Sequence, residues 1–375
     1  MNELNHSRHQ QISYEAALQS FVLLRNDGAL PIEAGAAIAV LGPHAVSRSG
    51  LFSDYAGKSH CFDGSDACVP SIAEGLAMAN PQGRVSSSMG VEINSSKTEG
   101  IAAALAAARE ADAIVLALGD DQSVERETRD RPDTALPGLQ TSFAKQVLAI
   151  GKPTVIVLVS GGPMAIDDLM GPREHLAIVN AFFPSHKGAQ ALGMTLMGRE
   201  NRWGKLPVTM YPHNYISQQQ MTNYDMSKAP GRSYKYYQGQ PLFPFGYGLS
   251  LTTFDFHCQM TTSASSFTSF SCQVRNTGSL DGEEVFQVYH SAINIGEVDH
   301  PVPKRSLRDF QRIAVPKSST RSLPFEVPHS SLQLINKDGK ATLYPGEHAI
   351  IISRGHAPWH GYSRNQRQSH ARPRG

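Results

Sequence analysis

The sequence predicts an α/β domain with a mostly parallel sheet, followed by a small all-β sandwich. From residue 38 to residue 210, short apolar runs alternate with helical patterns, as in a parallel sheet with helices on both faces. After Pro212 the chain becomes polar and rich in aromatic residues, and beyond residue 250 β-type runs alternate with turns. The change of pattern near Pro212 therefore predicts at least two domains of different class.

The α/β domain is predicted from continuous apolar runs that each end in Gly, Ser or Pro. Strands buried on both faces lack the polar alternation of a half-exposed strand. The candidate strands are residues 37–41, 113–118, 154–159 and 177–182. Helices are predicted at 100–110, from Pro137 onward and at 187–197, and an N-terminal helix at 14–24 is predicted to end at the turn Asn26-Asp27-Gly28.

The sandwich, of about one hundred residues, is predicted from β-type runs and tight turns. Runs at 267–274 and 284–289 lie on either side of the turn Asp281-Gly282, and a run at 349–352 follows Pro345-Gly346. The aromatic-rich stretch between the two domains indicates an interdomain connection.

The composition argues against strong electrostatic binding to nucleic acid or to an anionic membrane. The chain has 34 Lys and Arg against 33 Asp and Glu, which leaves a formal net charge of +1 over 375 residues. A neutral small-molecule partner fits this balance better. No run approaches the ~18 apolar residues of a membrane span, and residues 1–11 lack the apolar core of a signal peptide. The arginines near the end predict a disordered basic tail at residues 356–375.

The four cysteines fall as two local pairs, Cys61 with Cys68 and Cys258 with Cys272. Such pairing suits disulfides in a secreted protein, whereas unpaired thiols are equally compatible with a chain of this size. The spacing alone leaves both alternatives open.

A charged loop from Gly119 to Arg131 follows the predicted strand 113–118, where open α/β sheets place ligand sites. Six acidic residues between Asp120 and Asp133 are interleaved with three arginines. Composition alone favours a solvated surface loop with exposed ion pairs. The position after a buried strand favours a functional site.

The order of several short motifs resembles glycoside hydrolase family 3, particularly its β-xylosidase and β-glucosidase branch. In the first domain the matching segments are Leu23-Leu24-Arg25-Asn26-Asp27-Gly28, Asp54-Tyr55-Ala56-Gly57, Leu136-Pro137-Gly138 with Gln140, Ser160-Gly161-Gly162-Pro163 and Gly204-Lys205-Leu206-Pro207. In the sandwich they are Val274-Arg275-Asn276-Thr277-Gly278 and Asp281-Gly282 with Tyr289. The resemblance extends over residues 14–352, and so many motifs in one order are improbable by chance.

The resemblance implies two domains that follow a (β/α)8-like barrel in complete family members. They are an α/β sandwich domain, expected at 31–213, and a fibronectin type III-like (immunoglobulin-like) β-sandwich, expected at 251–355. A remnant helix and linker at 1–30 and an interdomain connection at 214–250 complete the expected organisation. The barrel brings the catalytic Asp nucleophile, so this chain is expected to need a barrel that lies upstream or in a separate chain.

The resemblance also implies that the loop 119–131 carries the general acid/base, at Glu125 by its Ser-x-Glu spacing, with Glu127 as the runner-up. In an extended segment the two side chains would project together, whereas a turn between them would separate them. Retaining cleavage uses such a group to protonate the departing oxygen and then to activate water. The sugar-binding residues stay unknown, and no cofactor or metal is expected.

Several other residues that could suggest catalysis are interpreted as structural. Asp54 lies in a segment that is non-catalytic in the family, Asp130 and Arg131 are expected to form an ion pair that anchors the loop, and His186 has no metal-ligand spacing around it. Three tyrosines of the connection are expected to pack in the protein, with a sugar platform as the alternative: Tyr234, Tyr236 and Tyr237.

The implied function is the acid/base-bearing portion of a retaining exo-β-glycosidase of the β-xylosidase or β-glucosidase type, which acts on β-linked oligosaccharides in carbohydrate metabolism. The alternative is a non-catalytic carbohydrate-binding or structural remnant. The usual secretion of the family implies an extracellular location and a disulfide between Cys61 and Cys68, and leaves the second cysteine pair open.

Overall fold

The structure, a computed structural model, describes residues 6–56, 61 and 63–355 of the 375-residue chain. The predicted tail at 356–375 lies outside the described residues. The chain divides into two compact units. The first runs to Gly204 and includes Met210–Ile216, and the second comprises Lys205–Thr209 and the residues from Ser217 onward.

The first unit is built on a mixed sheet with the strand order β1-β6-β5-β4-β2-β3. Its strands are β1 (Val22–Asn26), β2 (Ala37–Leu41), β3 (Arg84–Ser88), β4 (Ala113–Gly119), β5 (Thr154–Val159) and β6 (Leu176–Asn180). Strands β2 to β6 pair in parallel, whereas β1 pairs antiparallel with β6. All residues of β4, β5 and β6 are buried, as expected for the centre of a sheet that is covered on both faces.

Helices connect and cover these strands. They are α1 (Ser7–Ser20), α2 (Ile72–Ala79), α3 (Ile101–Glu110), α4 (Gln140–Leu148) and α5 (Ser185–Leu196). Helix α5 packs against α1 and α2, while α3 packs against β2, β3 and α4. No helix among the described residues is long and apolar enough to cross a membrane.

The predicted N-terminal helix at 14–24 is wrong in its second half. The helix ends at Ser20, and Val22 to Asn26 form the edge strand β1 instead. The apolar residues of β1 are fully buried against the sheet, and antiparallel pairing with β6 outweighs their helical pattern. The predicted strand at 177–182 is β6, which begins and ends earlier, at Leu176 and Asn180.

The helix predicted from Pro137 onward begins three residues later, at Gln140. Gly138 has a φ of +59°, which is left-handed and not helical, so Gly138 and Leu139 form a turn before the helix. The remaining predicted strands and helices of this unit are found within a few residues of their expected bounds. The predicted α/β domain is therefore confirmed.

The second unit is an antiparallel β-sandwich. Its strands are β7 (Phe254–Ser263), β8 (Phe267–Asn276), β9 (Gly282–Asn294), β10 (Ser306–Val315), β11 (Thr320–Pro328), β12 (Leu334–Ile335), β13 (Ala341–Thr342) and β14 (Glu347–Ser353). They form the sheets β10-β9-β14 and β11-β8-β7 and a short ribbon β12-β13. Phe270 and Phe325 of one sheet and Phe286 of the other belong to one buried core. The predicted all-β sandwich is confirmed.

The aromatic-rich connection belongs to this second unit and contains the short helix α6 (Ser233–Tyr236). Tyr234 stacks on Phe245, with ring centroids 4.1 Å apart, and meets Tyr289 edge-on at 6.1 Å. Tyr237 is buried. These contacts confirm the expectation that Tyr234 and Tyr237 pack in the protein.

Both cysteine pairs are bridged. The Cα atoms of Cys61 and Cys68 lie 5.8 Å apart in a disulfide, as predicted. The second disulfide joins Cys258 and Cys272, which lie directly opposite each other on β7 and β8.

Candidate active site

The charged loop begins at the carboxyl end of β4, where Gly119 has a φ of +143°. A Cβ at this position would lie 1.7 Å from the carbonyl oxygen of Val159, so only glycine fits where β4 passes β5. The next N–H, that of Asp120, donates to the same oxygen at 2.9 Å. The first residue of the loop is thereby fixed to the neighbouring strand.

The loop then forms a turn that separates the two candidate glutamates. Asp121 accepts backbone hydrogen bonds from Val124 and Glu125, at 2.9 and 3.1 Å. Arg126 and Arg129 exchange backbone hydrogen bonds of 3.1 and 3.0 Å. Glu127 therefore lies inside a tight turn, whereas Glu125 lies before it. Of the two alternatives, the structure shows the one in which the glutamates diverge.

Glu125 faces its own domain. Its Oε2 lies 3.2 Å from Nε of Arg131, and its side chain is 31% exposed. Its other carboxylate oxygen lies beside Gly161 and Gly162, where an added Cβ would come within 3.2 and 3.3 Å of it. The glycines of the strand-to-loop turn after β5 leave room for this carboxylate.

Arg131 joins the loop to the end of the sheet. Its Nη1 lies 3.3 Å from Asp120 Oδ2 and 2.8 Å from the Met164 sulfur, and its Nη2 donates to the Pro163 carbonyl at 3.0 Å. The predicted ion pair of Asp130 with Arg131 is wrong: no such pair occurs in the described part of the chain. The guanidinium turns inward because a buried carboxylate is a stronger partner than an exposed neighbour.

Asp120 is fully buried. Burial raises the pKa of its carboxyl to about 7, with Glu125 and Asp121 adding to the rise and the Arg131 guanidinium opposing it. Its Oδ1 has no hydrogen-bond partner among the described residues. A carboxyl group with a raised pKa thus lies where solvent does not reach it.

Glu127 faces outward. It is exposed, its carboxylate accepts a hydrogen bond from the hydroxyl of Tyr55, and its N–H donates to Asp54 Oδ2 at 3.1 Å. Tyr55 is itself 84% exposed. Asp54 thus positions the backbone of the turn, in line with the structural interpretation made from the sequence.

His44 is a residue at this edge of the sheet that sequence reasoning missed. It follows β2, is fully buried, and its two ring nitrogens have no hydrogen-bond partner among the described residues. Burial lowers the pKa of its imidazole to about 4. The sequence could have indicated His44, because it follows the predicted strand 37–41 and the carboxyl ends of the parallel strands β2 and β4 meet at one edge of the sheet.

His186 lies at the first turn of α5, where its Nε2 is 3.3 Å from the Cys68 sulfur of the disulfide. The described residues contain no group of three or more His, Cys, Asp or Glu side chains arranged to hold a metal ion. What this edge of the sheet offers is carboxylate chemistry: one exposed glutamate on a turn, one half-buried glutamate and one buried aspartate.

Comparison with protein families gives matches to both units. Residues 21–251 match the family described as glycosyl hydrolase family 3 C-terminal domain. Residues 284–355 match the fibronectin type III-like domain.

Similar curated proteins include the probable exo-1,4-β-xylosidase bxlB of Aspergillus fumigatus, which is 31% identical over 374 residues. The match covers 93% of this chain and 47% of that protein. The exo-1,4-β-xylosidase bxlB of Emericella nidulans is also 31% identical, over 92% of this chain and 46% of its own length. The chain therefore spans about half the length of the relatives it matches.

Solved structures of β-glycosidases also match this chain over about half of their own length. A family 3 exo-β-xylosidase in complex with a xylobiose aziridine activity-based probe matches with a TM-score of 0.82 at 27% identity, over 92% of this chain and 47% of its own. A β-glucosidase from Erythrobacter marinus matches with a TM-score of 0.78 at 28% identity, over 95% and 50%.

Proposed function

The chain belongs to glycoside hydrolase family 3, and from this we propose that it is the acid/base-bearing portion of a retaining exo-β-glycosidase of the β-xylosidase or β-glucosidase type. The observation that carries the proposal is the glutamate-bearing turn at residues 126–129, which follows a buried strand of the family domain and presents an exposed carboxyl group. The β-xylosidases among its relatives support β-linked xylo-oligosaccharides as substrates.

The mechanism requires one carboxyl group to perform two tasks. As an acid it protonates the departing glycosidic oxygen, and as a carboxylate it then activates water against the covalent glycosyl-enzyme intermediate. The group must reach the scissile bond, so it must project from its own domain. A glutamate on a turn beyond the end of the sheet can project in this way.

Glu125 is the acid/base favoured by the sequence motif, and the geometry gives a reason to prefer its runner-up, Glu127. The Glu125 carboxylate forms an ion pair with Arg131 and faces the turn at Gly161 and Gly162 of its own domain. Glu127 is exposed, and its partner Tyr55 is an exposed side chain that a substrate can displace. We therefore propose Glu127 as the acid/base and Glu125 as an anchor of the loop.

The second carboxylate of a retaining mechanism lies ~5 to 5.5 Å from the first. Asp120 cannot serve in this role because it is fully buried. We propose that the nucleophile comes from a barrel domain, upstream or in a separate chain, as the half-length match to the relatives suggests. Secretion and a role in the breakdown of xylan belong to the same proposal.

The test compares two proteins on aryl β-xylosides and aryl β-glucosides. One is the purified 375-residue chain, and the other is this chain fused behind the barrel half of the Emericella nidulans relative. We expect negligible turnover by the chain alone, turnover by the fusion, and loss of that turnover in the Glu127→Ala fusion. The same barrel with its own second half is the positive control, and thermal unfolding verifies that each protein is folded.

Two outcomes would contradict the proposal. Turnover by the chain alone would mean that it contains a complete site. A folded fusion that binds xylo-oligosaccharides without cleaving them, while the positive control is active, would favour a non-catalytic carbohydrate-binding role.

A further inference from the structure

The Arg131 guanidinium connects two separate parts of the acid/base loop, residues 119–131, with the neighbouring loop that follows β5. It contacts Asp120 at the start of the loop at 3.3 Å, Glu125 just before the turn at 3.2 Å, and the Pro163 carbonyl of the neighbouring loop at 3.0 Å. Its side chain is only 10% exposed. A planar guanidinium can donate in several directions at once, which an ammonium group on a lysine cannot reproduce.

The neighbouring backbone is shaped around this cation. A Cβ at Gly162 would lie 3.1 Å from Arg131 Nη2 and 3.3 Å from Glu125 Oε1, so the glycine leaves space for the guanidinium and the carboxylate together. The Met164 sulfur closes another side at 2.8 Å from Nη1. The ion pair is therefore built into the fold.

We propose that Arg131 and Asp120 are positioning residues for the acid/base. Arg131 holds Glu125, and through it the turn that carries Glu127. The charge on Asp120 controls how firmly Glu125 is held. The catalytic meaning of this inference depends on the proposed function. The mechanical part of the inference is that Arg131 holds the loop and that the charge on Asp120 modulates this hold. This part does not depend on the proposed function.

The direction of the modulation follows from the charges around Asp120. The charged groups that act on its carboxyl are Arg131, Glu125 and Asp121, and a backbone hydrogen bond from Gly161 also favours its ionised form. His44 lies beside the Asp120 backbone and is neutral near pH 7, because burial lowers the pKa of its imidazole to about 4. Ionised Asp120 competes with Glu125 for the guanidinium and repels the Glu125 carboxylate. Burial raises the pKa of Asp120 to about 7, so the loop is held most firmly below that pH and loosens as the pH rises through it.

Hydrogen exchange on the whole 375-residue chain tests the mechanical part without any activity. After correction for intrinsic exchange rates, protection of residues 121–130 in the wild type should fall by about tenfold between pH 6 and pH 8.5. In Asp120→Asn it should stay constant within about twofold over that range. In Arg131→Met it should be lower by about tenfold at pH 6, and in Arg131→Lys it should be intermediate. Glu92→Gln, which removes the exposed ion pair with Lys97, is the control and should match the wild type.

Two results would overturn the inference. One is protection of residues 121–130 in Arg131→Met that equals the wild-type value. The other is an unchanged pH dependence in Asp120→Asn. If Arg131→Met fails to fold, the double variant Asp120→Asn/Arg131→Met removes both charges, and its loop must again exchange faster than that of Asp120→Asn alone.

Kinetics of the fused enzyme provide the catalytic readout. Arg131→Lys should lower kcat by about tenfold with little change in KM, because it disturbs the position of the acid/base and not the binding of the sugar. Asp120→Asn should move the alkaline limb of the kcat/KM profile to higher pH, and an unchanged limb would refute a role for its charge in catalysis. An inactive wild-type fusion would count against the proposed function, whereas the exchange result decides the mechanical part by itself.

Discussion

The buried side-chain amide of Gln140 binds both backbone groups of Gly119, accepting its N–H at 2.8 Å and donating to its carbonyl at 2.7 Å. The same amide nitrogen donates to the Ile93 carbonyl at 2.8 Å. Gln140 is the first residue of α4 and is fully buried, while Gly119 is the last residue of β4. A side chain of one helix thus satisfies the backbone where the strand ends and the acid/base loop begins.

Gln140→Ala should lower the free energy of unfolding of the first unit by about 2 to 4 kcal/mol, because it leaves buried backbone groups of Gly119 without partners. Urea denaturation measures the change. Gln146→Ala, at an exposed position of the same helix, is the matched control and should change stability by less than about 0.5 kcal/mol. Equal effects of the two substitutions would contradict the role assigned to Gln140.

In the second unit, Lys205 and Glu284 form an ion pair of 2.7 Å whose side chains are 5% and 6% exposed. Burial lowers the pKa of Lys205, and the Glu284 carboxylate opposes the shift. The Lys205 ammonium also donates to the Gly248 carbonyl at 2.7 Å, and Arg354 lies 3.7 Å from Glu284. Each charge therefore depends on the other for compensation.

Glu284→Gln should lower the free energy of unfolding of the second unit by about 3 to 5 kcal/mol, since it leaves Lys205 buried without its counter-charge. The double variant Lys205→Met/Glu284→Leu should regain most of that loss, because apolar residues of similar volume replace both charges. Denaturant unfolding of both variants checks this. Asp299→Asn removes the exposed ion pair with Lys337 and should leave stability unchanged. A double variant as unstable as Glu284→Gln would contradict the argument.

The two units should respond differently to acid. Burial, followed by Arg308 and His348, lowers the pKa of His290 in the second unit to about 4, below the ordinary value of 6.5. Its stabilising contribution is complete above pH 6.5 and is lost as the pH falls toward 4, at about 1.4 kcal/mol per pH unit. In the first unit His44 acts in the same direction, whereas Asp120, whose pKa is raised to about 7, contributes stability that is lost as the pH rises through that value. These two effects largely cancel between pH 4 and 6.5.

From pH 6.5 to pH 5, the second unit should therefore lose about 2 kcal/mol while the first changes little. Hydrogen exchange of strands β8 and β9, compared with β4 and β5, in moderate urea measures the two units separately. His290→Gln, which keeps a hydrogen-bonding group next to His348, should remove most of the loss. A parallel decline of both units would show that other groups dominate.

The choice between the two glutamates of the loop can be tested in the fused enzyme. Glu127→Ala should slow hydrolysis of substrates with poor leaving groups by about 10²-fold or more, and activated aryl glycosides far less, because the latter depart without protonation. Added azide should restore turnover. Glu125→Ala should instead show only a weak leaving-group dependence and no azide rescue, because the loosened loop still carries Glu127. If Glu125→Ala shows the leaving-group dependence and the azide rescue, the acid/base is Glu125, as the sequence motif indicates.

Much of the fold could be predicted because continuous apolar strands are visible in one dimension. The error at β1 arose because Val22, Leu23 and Leu24 continue the apolar pattern of α1, and only the pairing with β6 shows that they belong to a strand. At the site, the loop could be located from its position after β4. The ion-pair partner of Arg131 could not be predicted from the sequence, because the buried Asp120 lies eleven residues away and the adjacent Asp130 looked equally suitable. His44 and Gln140 reach the site only through the packing of distant segments.

The antiparallel strand β1 has a practical consequence for work with fragments. It forms the outer neighbour of β6, whose residues from Leu176 to Asn180 are all buried. A fragment that starts at residue 31, where the linker was predicted to end, would lack β1. The N–H and C=O groups on the outer side of β6 would then be open to pairing with another molecule. Such a fragment should precipitate or form strand-exchanged dimers, whereas one that starts at residue 7 keeps α1 and its own edge strand and should remain monodisperse.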